Sequence, residues 1–239
     1  MKKILKYSFI TILAFLISMT VQAATKECTY KLSYNSGGAN LSDEITFYLD
    51  PGKGIQDKFK IKSTNKEIKV LNLFAYTGGA TVACLSAGAS VCHVDSSKGM
   101  VSWAKENVIS SGLQDRKVRY IVDDVVKFVN REIRRGNKYD AIIMDPPSYG
   151  RGPKGETWKI EEAVFPLINI CADILKSEPL FFLINSYTTG LQPAVLSYML
   201  NTVLVERFGG KVEADEIGLP VSSNGLILPC GASGRYTKA

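Results

Sequence analysis

The sequence predicts an α/β protein built on a doubly wound, mostly parallel sheet of seven strands that ends in an antiparallel hairpin. Two observations predict this fold. From residue 69 onward, short apolar runs alternate with longer segments of helical periodicity, which is the pattern of strands joined by crossover helices. Near the C-terminus, two β-rich runs follow each other with no helix between them. The 239 residues, 46% of them hydrophobic, are enough to enclose one sizeable core.

The elements follow in order along the chain. We predict strands at 70–74, 90–95, 118–124, 139–145 and 179–185. Helices alternate with them, at 80–88, 96–111, 125–136, 159–176 and 191–206. Ser96 and Ser97 can cap the second helix, and Gly136 ends the third. The runs "KVEADEIGL" and "GLILPCG", joined across "PVSSN", predict the closing hairpin.

The N-terminal part of the chain lacks this alternation. Residues 1–23 combine a lysine-rich start, an apolar run and a small-residue site ending at Ala23, which together predict a secretory signal peptide. An uncleaved helix or membrane anchor is the alternative, although the apolar run is short for a membrane span. Residues 24–66 are polar and predict a poorly specified leader, with "YNSGGANLSDE" as a turn or loop and "EITFYL" as one strand. The α/β unit is then 67–239.

Charge, histidine and cysteine content exclude several classes of protein. The formal net charge is +6, but Lys2, Lys3 and Lys6 leave only +3 on the rest of the chain, so charge alone supports nucleic-acid binding weakly. There is one histidine, His93, and none of the five cysteines forms a C-x-x-C pair, so we predict no metal site. A Ser-His-Asp hydrolase is equally unexpected. We predict that His93, in mid-strand, is a satisfied core residue.

Small and acidic residues stand at the ends of the first three predicted strands, where doubly wound sheets bind ligands. Gly78 and Gly79 would let the backbone approach a ligand at a helix N-terminus, although a tight strand–helix turn would also need them. Asp95 could accept hydrogen bonds from ribose hydroxyls, and Asp123 or Asp124 from an exocyclic base amine. Helix capping is the alternative for each acid. Together they predict an adenosine ligand.

The stretch "VLNLFAYTGGATVACLSAGASVCHVDSS", with "DD" and "DPPSYG" further along, resembles the Rossmann-like class I S-adenosylmethionine-dependent methyltransferases. Within them, residues 68–236 are similar to the large-subunit ribosomal-RNA methyltransferase group. The resemblance implies S-adenosylmethionine as cofactor, RNA as substrate and a cytoplasmic location, which conflicts with the signal-like N-terminus. It also implies an antiparallel seventh strand between strands five and six. The cofactor-binding residues that it implies are Phe74, Tyr76, Gly78, Gly79, Asp95, Asp123, Asp124 and Asp145.

Under this resemblance, Gly78 and Gly79 approach the methionyl part of the cofactor. Asp95 holds the ribose, Asp124 the adenine amine, and Asp145 lies beside the transferred methyl group. No membrane association is expected apart from the N-terminal segment, and no metal is implied.

The catalytic residues that we predict lie in "DPPSYG": Asp145, Pro146 and Tyr149. The double proline fixes the backbone, so that Asp145 and nearby carbonyls can accept hydrogen bonds from an amino group. Tyr149 could stack on a flat base, or simply pack on the edge of the sheet. Carbon methylation would need a nearby thiolate, and Cys230 lies late on the last predicted strand, so amino nitrogen is favoured as acceptor.

Other readings of the chain stay open. A small molecule or a protein amine could be the acceptor, because residues 1–66 are short for an RNA-binding domain. A non-catalytic, exported cofactor-binding protein would fit the N-terminal segment. The loop "GRGPKGETWK" is either a lid anchored by Trp158 or a solvated loop, and "REIRRG" predicts a solvated helix face.

Overall fold

A computed structural model of the chain describes residues 67–151 and 157–238, and the backbone of three earlier strands: β1 (Glu27–Ser36), β2 (Ala39–Asp50) and β3 (Gly54–Ile55). β1 pairs with β2 and β2 with β3, both antiparallel. Strands therefore cover most of "YNSGGANLSDE", residues 34–44, which we predicted as a turn or loop. The missed signal is the alternation of Tyr30, Leu32 and Tyr34 with polar residues, a strand pattern that the nearby glycines obscured. The predicted signal peptide lies outside the described residues.

The main sheet has seven strands, as predicted. Five are parallel: β4 (Lys69–Leu73), β5 (Ser90–Asp95), β6 (Val118–Val122), β7 (Ala141–Met144) and β10 (Phe181–Ser186). The closing hairpin consists of β11 (Lys211–Pro220) and β12 (Ile227–Thr237). The strand order is β11-β12-β10-β7-β4-β5-β6, with β12 antiparallel to both of its neighbours. The expected position of the antiparallel strand, between the fifth and sixth strands of the sheet, is confirmed.

Helices connect the parallel strands at the predicted places. They are α1 (Gly79–Ser86), α2 (Lys98–Ser110), α3 (Val125–Arg135), α4 (Ile160–Ala172), α5 (Pro193–Leu200) and a short α6 (Glu206–Phe208). A π-helical turn, Asn201–Val205, joins α5 to α6. Among the helices that the structure describes, none is long and apolar enough to cross a membrane.

Alternate residues of each strand face two hydrophobic cores, one on either side of the sheet. Val70, Val91 and Ile143 pack under α1 and α2. Leu71, Ile142 and their neighbours on the other face pack against α3, α4 and α5. Helices thus cover both faces, and the edge formed by the carboxyl ends of the parallel strands carries the connecting loops, where ligands bind in this architecture.

The prediction of a solvated helix face at "REIRRG" was wrong for one residue. Glu132 in α3 is fully buried, and its carboxylate accepts hydrogen bonds from the Tyr139 hydroxyl (2.7 Å) and the Asn137 amide (2.9 Å). Burial would raise the pKa of Glu132, but these hydrogen bonds and the charge of Arg119 outweigh it and lower the pKa. Tyr139 lies at the start of the next predicted strand, so no local pattern signals this contact.

Two short strands, β8 (Tyr149–Arg151) and β9 (Thr157–Lys159), pair antiparallel and form a separate hairpin between β7 and α4. The sequence predicted a loop there. The hairpin directly follows the Asp-Pro-Pro turn, so it stands at the ligand-binding edge of the main sheet.

Candidate active site at the carboxyl edge of the sheet

The register of the parallel strands brings the predicted acidic residues to one edge. Leu73 is paired with Val94 and with Met144, and Asp95 is paired with Val122. The residues that directly follow these positions, including Phe74, Asp123 and Asp145, therefore leave the sheet at nearly the same level. The sequence order of these strands is shuffled in space, and β4 lies between β5 and β7. The opening between the β4 and β7 loops is thus the switch point of the fold.

The loop after β4 holds an unusual backbone conformation. Phe74 and Tyr76 have positive φ angles, 53° and 47°, a backbone conformation that residues other than glycine rarely adopt. Gly78 has φ 83°, and a Cβ atom there would come within 2.9 Å of the Ala104 Cβ in α2. Strained residues persist only where the surroundings fix them, and they concentrate at binding sites. Tyr76 is half exposed, so its ring is available to a ligand.

The first turn of α1 differs from that of the neighbouring helices. Ser97 caps α2 and Asp124 caps α3 through side-chain hydrogen bonds to the backbone. Gly78 at the start of α1 has no side chain, and this turn contains no acidic residue. The N–H groups at the start of α1, beginning with Gly79, are left for another acceptor, such as a carboxylate.

Asp95 ends β5 and ties two backbone segments together. Its carboxylate accepts hydrogen bonds from the backbone N–H of Tyr76 (2.9 Å) and of Ser97 (2.8 Å). Each carboxylate oxygen uses one lone pair in this way and keeps a second, so the group can still accept from two hydroxyls. The residue is only partly buried, and it fixes the β4 loop at the same time.

Asp123 and Asp124 are adjacent in sequence but differ in their partners. Asp123 forms an ion pair with Arg131 of α3 and also accepts from the Asp124 N–H. Asp124 accepts a hydrogen bond from the Lys127 N–H (2.9 Å) through one oxygen, which is the capping contact that the sequence offered as an alternative. Its other oxygen is available to a ligand amine, whereas the charge of Asp123 is already compensated.

Asp145 differs from the other acids because, among the described residues, nothing donates a hydrogen bond to its carboxylate. It follows β7 directly and is partly buried, and the Pro146 that comes next is buried. Burial raises the pKa of Asp145 to about 6. A carboxylate held in this way is a strong acceptor for a donor that a ligand brings, so the predicted catalytic acid lies in a suitable environment.

The β8–β9 hairpin is fastened over the β4 and β7 loops. The Trp158 ring packs on Phe74 with 5.1 Å between ring centroids, and its indole N–H donates to the Pro147 carbonyl (2.6 Å). The Ser148 hydroxyl and the Thr188 hydroxyl lie 2.6 Å apart, which joins the β7 loop to the β10 loop. Trp158 is thus an anchor of the hairpin. Tyr149 is half exposed, and its hydroxyl accepts a hydrogen bond from Arg151 (2.9 Å).

Two further residues lie at this edge. The sequence pattern did not single out the first, Tyr187, and it placed the second, Cys230, in the wrong part of its strand. Tyr187 follows β10 and is 42% exposed, and burial together with the charge of Asp145 raises the pKa of its hydroxyl. Its ring lies over Gly231, where a Cβ would approach it to 3.1 Å. Cys230 was predicted late in the last strand, but β12 continues to Thr237, so Cys230 lies near its start beside Tyr187. Both depend on long-range pairing that the sequence does not reveal.

Among the residues that the structure describes, no group of three or more His, Cys, Asp or Glu side chains is arranged to hold a metal ion. The chemistry of this edge is carried by single carboxylates and aromatic rings.

Comparison with known proteins identifies one family. Residues 43–163 match the family model described as S-adenosylmethionine-dependent methyltransferase. A crystal structure of an S-adenosylmethionine-dependent methyltransferase from Agrobacterium tumefaciens has 28% sequence identity and a TM-score of 0.70, and the match covers 92% of this chain and 73% of that one.

Curated relatives cover a smaller part of the chain. The ribosomal RNA large subunit methyltransferase K/L of Shewanella frigidimarina is 34% identical over 129 residues, or 52% of this chain and 18% of the relative. The ribosomal RNA large subunit methyltransferase I of an Enterobacter species is 41% identical over 104 residues, or 43% of this chain and 26% of the relative. The chain therefore spans about a fifth to a quarter of the length of these relatives.

Proposed function

The chain belongs to the S-adenosylmethionine-dependent methyltransferase family, and on that premise we propose that it methylates an exocyclic amino nitrogen of a nucleobase in RNA. The observation that carries the proposal is the Asp145 carboxylate, which is partly buried at the end of β7 and has no donor among the described residues. A substrate amino group supplies the donor that this carboxylate lacks.

The edge of the sheet fits the cofactor of the family. S-adenosylmethionine brings a methyl group on a positively charged sulfur, which a nucleophile displaces in line. The uncapped start of α1 at Gly79 is suited to its carboxylate, and the free lone pairs of Asp95 to its ribose hydroxyls. Asp124 is better suited than Asp123 to accept from the adenine amine, since Arg131 already neutralises Asp123. Phe74 and Tyr76 carry the strained loop between these groups.

Asp145 would act on the acceptor by orienting it. The nitrogen of an aromatic amine is a weak nucleophile, because its lone pair is delocalised into the ring. A hydrogen bond from the amine N–H to Asp145 holds the group so that its lone pair points at the reacting methyl. Pro146 fixes the backbone beside it, since a proline ring locks φ and the residue is buried.

Aromatic rings flank this position. Tyr149 and Tyr187 are both substantially exposed, on the β7 and β10 loops that the Ser148–Thr188 hydrogen bond joins. A flat base displaced from its stack can rest on such rings. We assign the stacking role to one of these two tyrosines. We favour Tyr187, because the charge of Asp145 raises the pKa of its hydroxyl and the two side chains are therefore close to each other.

RNA is proposed as the substrate because the curated relatives are named as ribosomal RNA methyltransferases. We accordingly propose a cytoplasmic site of action. The runner-up is methylation of a small molecule or a protein amine, which the modest charge of the body of the chain favours.

Calorimetry with S-adenosylmethionine and with S-adenosylhomocysteine tests the cofactor half of the proposal. Wild type should bind both ligands, and Asp95→Ala should weaken binding by at least about tenfold, because two ribose contacts are lost. Asp145→Asn should bind both as wild type does and lose most, but not all, of its turnover. A wild-type protein that binds neither ligand would refute the methyltransferase activity.

Transfer of a labelled methyl group tests the acceptor half. The candidates are ribosomal RNA, a protein extract and a metabolite extract, and labelled RNA is digested to nucleosides for mass spectrometry. We expect label on an amino nitrogen, and full activity in Cys230→Ser. Label on C5 of a pyrimidine, together with an inactive Cys230→Ser, would show a carbon acceptor and a covalent thiolate mechanism instead. Binding of the cofactor without transfer to any acceptor would favour a non-catalytic cofactor-binding protein.

RNA binding itself distinguishes the two substrate classes. If Lys and Arg side chains neutralise phosphates, the affinity for RNA falls steeply as salt is raised. An affinity for RNA that does not change between low and high salt would favour the small-molecule alternative.

A further inference from the structure

Three polar side chains lie buried directly beneath the start of α1. Asn72 of β4 is 3% exposed, and Thr81 of α1 and His93 of β5 are completely buried. The Asn72 amide donates to the Thr81 hydroxyl oxygen (3.0 Å), and the Thr81 hydroxyl lies 2.9 Å from Nδ1 of His93. The Asn72–Thr81–His93 network therefore connects the first turn of α1 to two neighbouring strands of the sheet.

The network connects three neutral groups. Burial lowers the pKa of His93 to about 4, so the ring is uncharged near neutral pH. The Thr81 hydroxyl oxygen accepts from the Asn72 amide, and it shares a second hydrogen bond with Nδ1, in which the tautomer of the ring decides which group donates. In either tautomer the two hydrogen bonds tie the three side chains to one another.

The prediction that His93 is a core residue is confirmed, but the ring is only half satisfied. Its Nε2 is buried and has no hydrogen-bond partner among the described residues. A fully apolar set of side chains would avoid that cost, so the network is not the most stable way to fill this space. A buried polar group without a partner at this position points to a role other than core stability.

The position of the network shows what it can act on. The Cε1 atom of His93 lies 3.6 Å from the place that a Cβ on Gly78 would occupy, so the ring lies next to the glycine at the start of α1. Thr81 lies in the first turn of α1, which has no side-chain cap. On the other side of the same loop, the Asn107 amide of α2 donates to the Thr77 carbonyl (2.8 Å). Side chains of β4, β5 and α2 therefore contact the first turn of α1 and the loop before it.

We propose that Asn72, Thr81 and His93 are positioning residues for the cofactor, which set the depth and direction of the uncapped N–H groups at the start of α1. This inference rests on the proposed function, because it assigns those groups to the carboxylate of S-adenosylmethionine. The three side chains do not touch the cofactor. They act through Gly78 and Gly79, whose backbone they hold at a fixed distance from β4 and β5.

The test compares Thr81→Val, which keeps the shape and removes the hydroxyl, with Thr81→Ser, which keeps the hydroxyl. We expect Thr81→Val to weaken binding of S-adenosylhomocysteine by at least about tenfold in calorimetry, and Thr81→Ser to stay within about threefold of wild type. A second variant, His93→Gln, keeps a hydrogen-bonding group beside Thr81 and should fall between them.

A matched control separates positioning from a general loss of stability. Ile168 is fully buried in α4 on the opposite face of the sheet, so Ile168→Val or Ile168→Ala can be chosen to match the melting temperature of Thr81→Val. The control should bind S-adenosylhomocysteine as wild type does. Equal weakening in the Ile168 variant, or binding by folded Thr81→Val within about twofold of wild type, would overturn the inference.

Binding by the wild-type protein distinguishes a failure of the proposed methyltransferase function from a failure of the positioning role. If wild type binds neither S-adenosylmethionine nor S-adenosylhomocysteine, the proposed function fails and this inference fails with it. If wild type binds and the threonine and histidine variants bind equally well, only the positioning role is refuted. If Thr81→Val does not fold, His93→Gln and Thr81→Ser decide: wild-type affinity in His93→Gln would count against the network.

Discussion

Asp145 lowers the stability of the folded protein when it is charged, and it is also the residue to which we assign the binding of the acceptor amine. Its carboxylate loses hydration in the folded protein, and among the described residues no donor replaces the lost water. The pKa rises from 3.8 to about 6. Between pH 3.8 and about 6, the Asp145 carboxyl is therefore protonated to a larger extent in the folded protein than in the unfolded chain.

The stability of the free protein should change with pH in a defined direction because of this group. Below about pH 4 the carboxyl is protonated in both states and has no effect, and the penalty grows as pH rises to about 6 and then stays constant. Asp145→Asn should therefore be more stable than wild type at pH 7, by up to about 3 kcal/mol, and equally stable at pH 4. Urea denaturation at both pH values measures this. A variant that is less stable at pH 7 would contradict it.

The same ionisation should be visible in the kinetics. In the proposed mechanism Asp145 is a stronger hydrogen-bond acceptor for the amine when it is charged than when it is protonated, so kcat/KM for the acceptor should rise with pH through about 6 and then level off. The rate profile of wild type between pH 5 and 8 measures this rise. The residual activity of Asp145→Asn should lack it. A flat profile in wild type would show that the carboxylate does not need to be ionised.

Tyr187 provides a prediction about the acceptor. Tyr187→Ala removes the ring that lies over Gly231 and should raise KM for the acceptor by about tenfold, since stacking of a base on an aromatic ring contributes about 1–3 kcal/mol. Tyr187→Phe keeps the ring and should stay close to wild type. Initial rates at varied acceptor concentration measure both. Equal losses in the two variants would assign the role to the hydroxyl.

At the scale of single residues, the sequence reveals what is local. Asp95 and Asp145 stand directly after apolar runs, so their place at the carboxyl edge follows from the strand pattern alone. Asp123 and Asp124 cannot be told apart in this way, because only the fold shows that Arg131 pairs with the first. Tyr187 and Cys230 become neighbours through the pairing of β10 with β12, which joins positions far apart in sequence.

At the scale of elements, the β8–β9 hairpin can be loosened by changing one side chain, Trp158. Trp158→Ala loses the contact with Phe74 and the hydrogen bond to the Pro147 carbonyl, and should lower the free energy of unfolding by about 2 kcal/mol. Trp158→Phe keeps the ring contact and should lose about half as much. We expect both to raise KM for the acceptor, because the hairpin borders the Asp145 turn. Denaturation curves and initial rates measure the two effects, and a wild-type KM in Trp158→Ala would contradict the second.

Element boundaries follow the sequence closely where the chain carries its own signals. β5 has the predicted bounds, and Ser97 and Gly136 cap the helices as expected. The helix predicted at 159–176 ends at Ala172, because the chain turns there to bring Tyr139 and Leu175 together as a parallel bridge. The β8–β9 hairpin was missed because three-residue strands carry too little periodicity to be recognised.

The whole molecule depends on its closing hairpin. Tyr236 of β12 is fully buried, and Gly234 lies under Leu196 and Leu200 of α5, with a Cβ position 3.0 Å from each. β12 also satisfies the backbone of β10 along six residue pairs. Without β11 and β12, the last parallel strand would have an open edge and an uncovered apolar helix.

A chain that lacks residues 210–239 should therefore not unfold cooperatively and should aggregate in size-exclusion chromatography, because part of one core is exposed. Full-length Tyr236→Phe is the control: it keeps the ring and removes a hydroxyl that has no partner among the described residues, so its unfolding should remain cooperative. A truncated protein that is soluble, cooperative and able to bind S-adenosylhomocysteine would contradict this view of the fold.

The strand order also has a consequence in time. β11 precedes β12 in the chain, yet β12 lies between it and β10. During synthesis β11 leaves the ribosome before the strand that must separate it from the sheet, so the sheet cannot be extended one strand after another. β11 can join the sheet only after β12 or together with it as a finished pair, and Gly231, over which the ring of Tyr187 lies, arrives with β12. The acceptor side of the proposed site is therefore incomplete until this hairpin has joined the sheet.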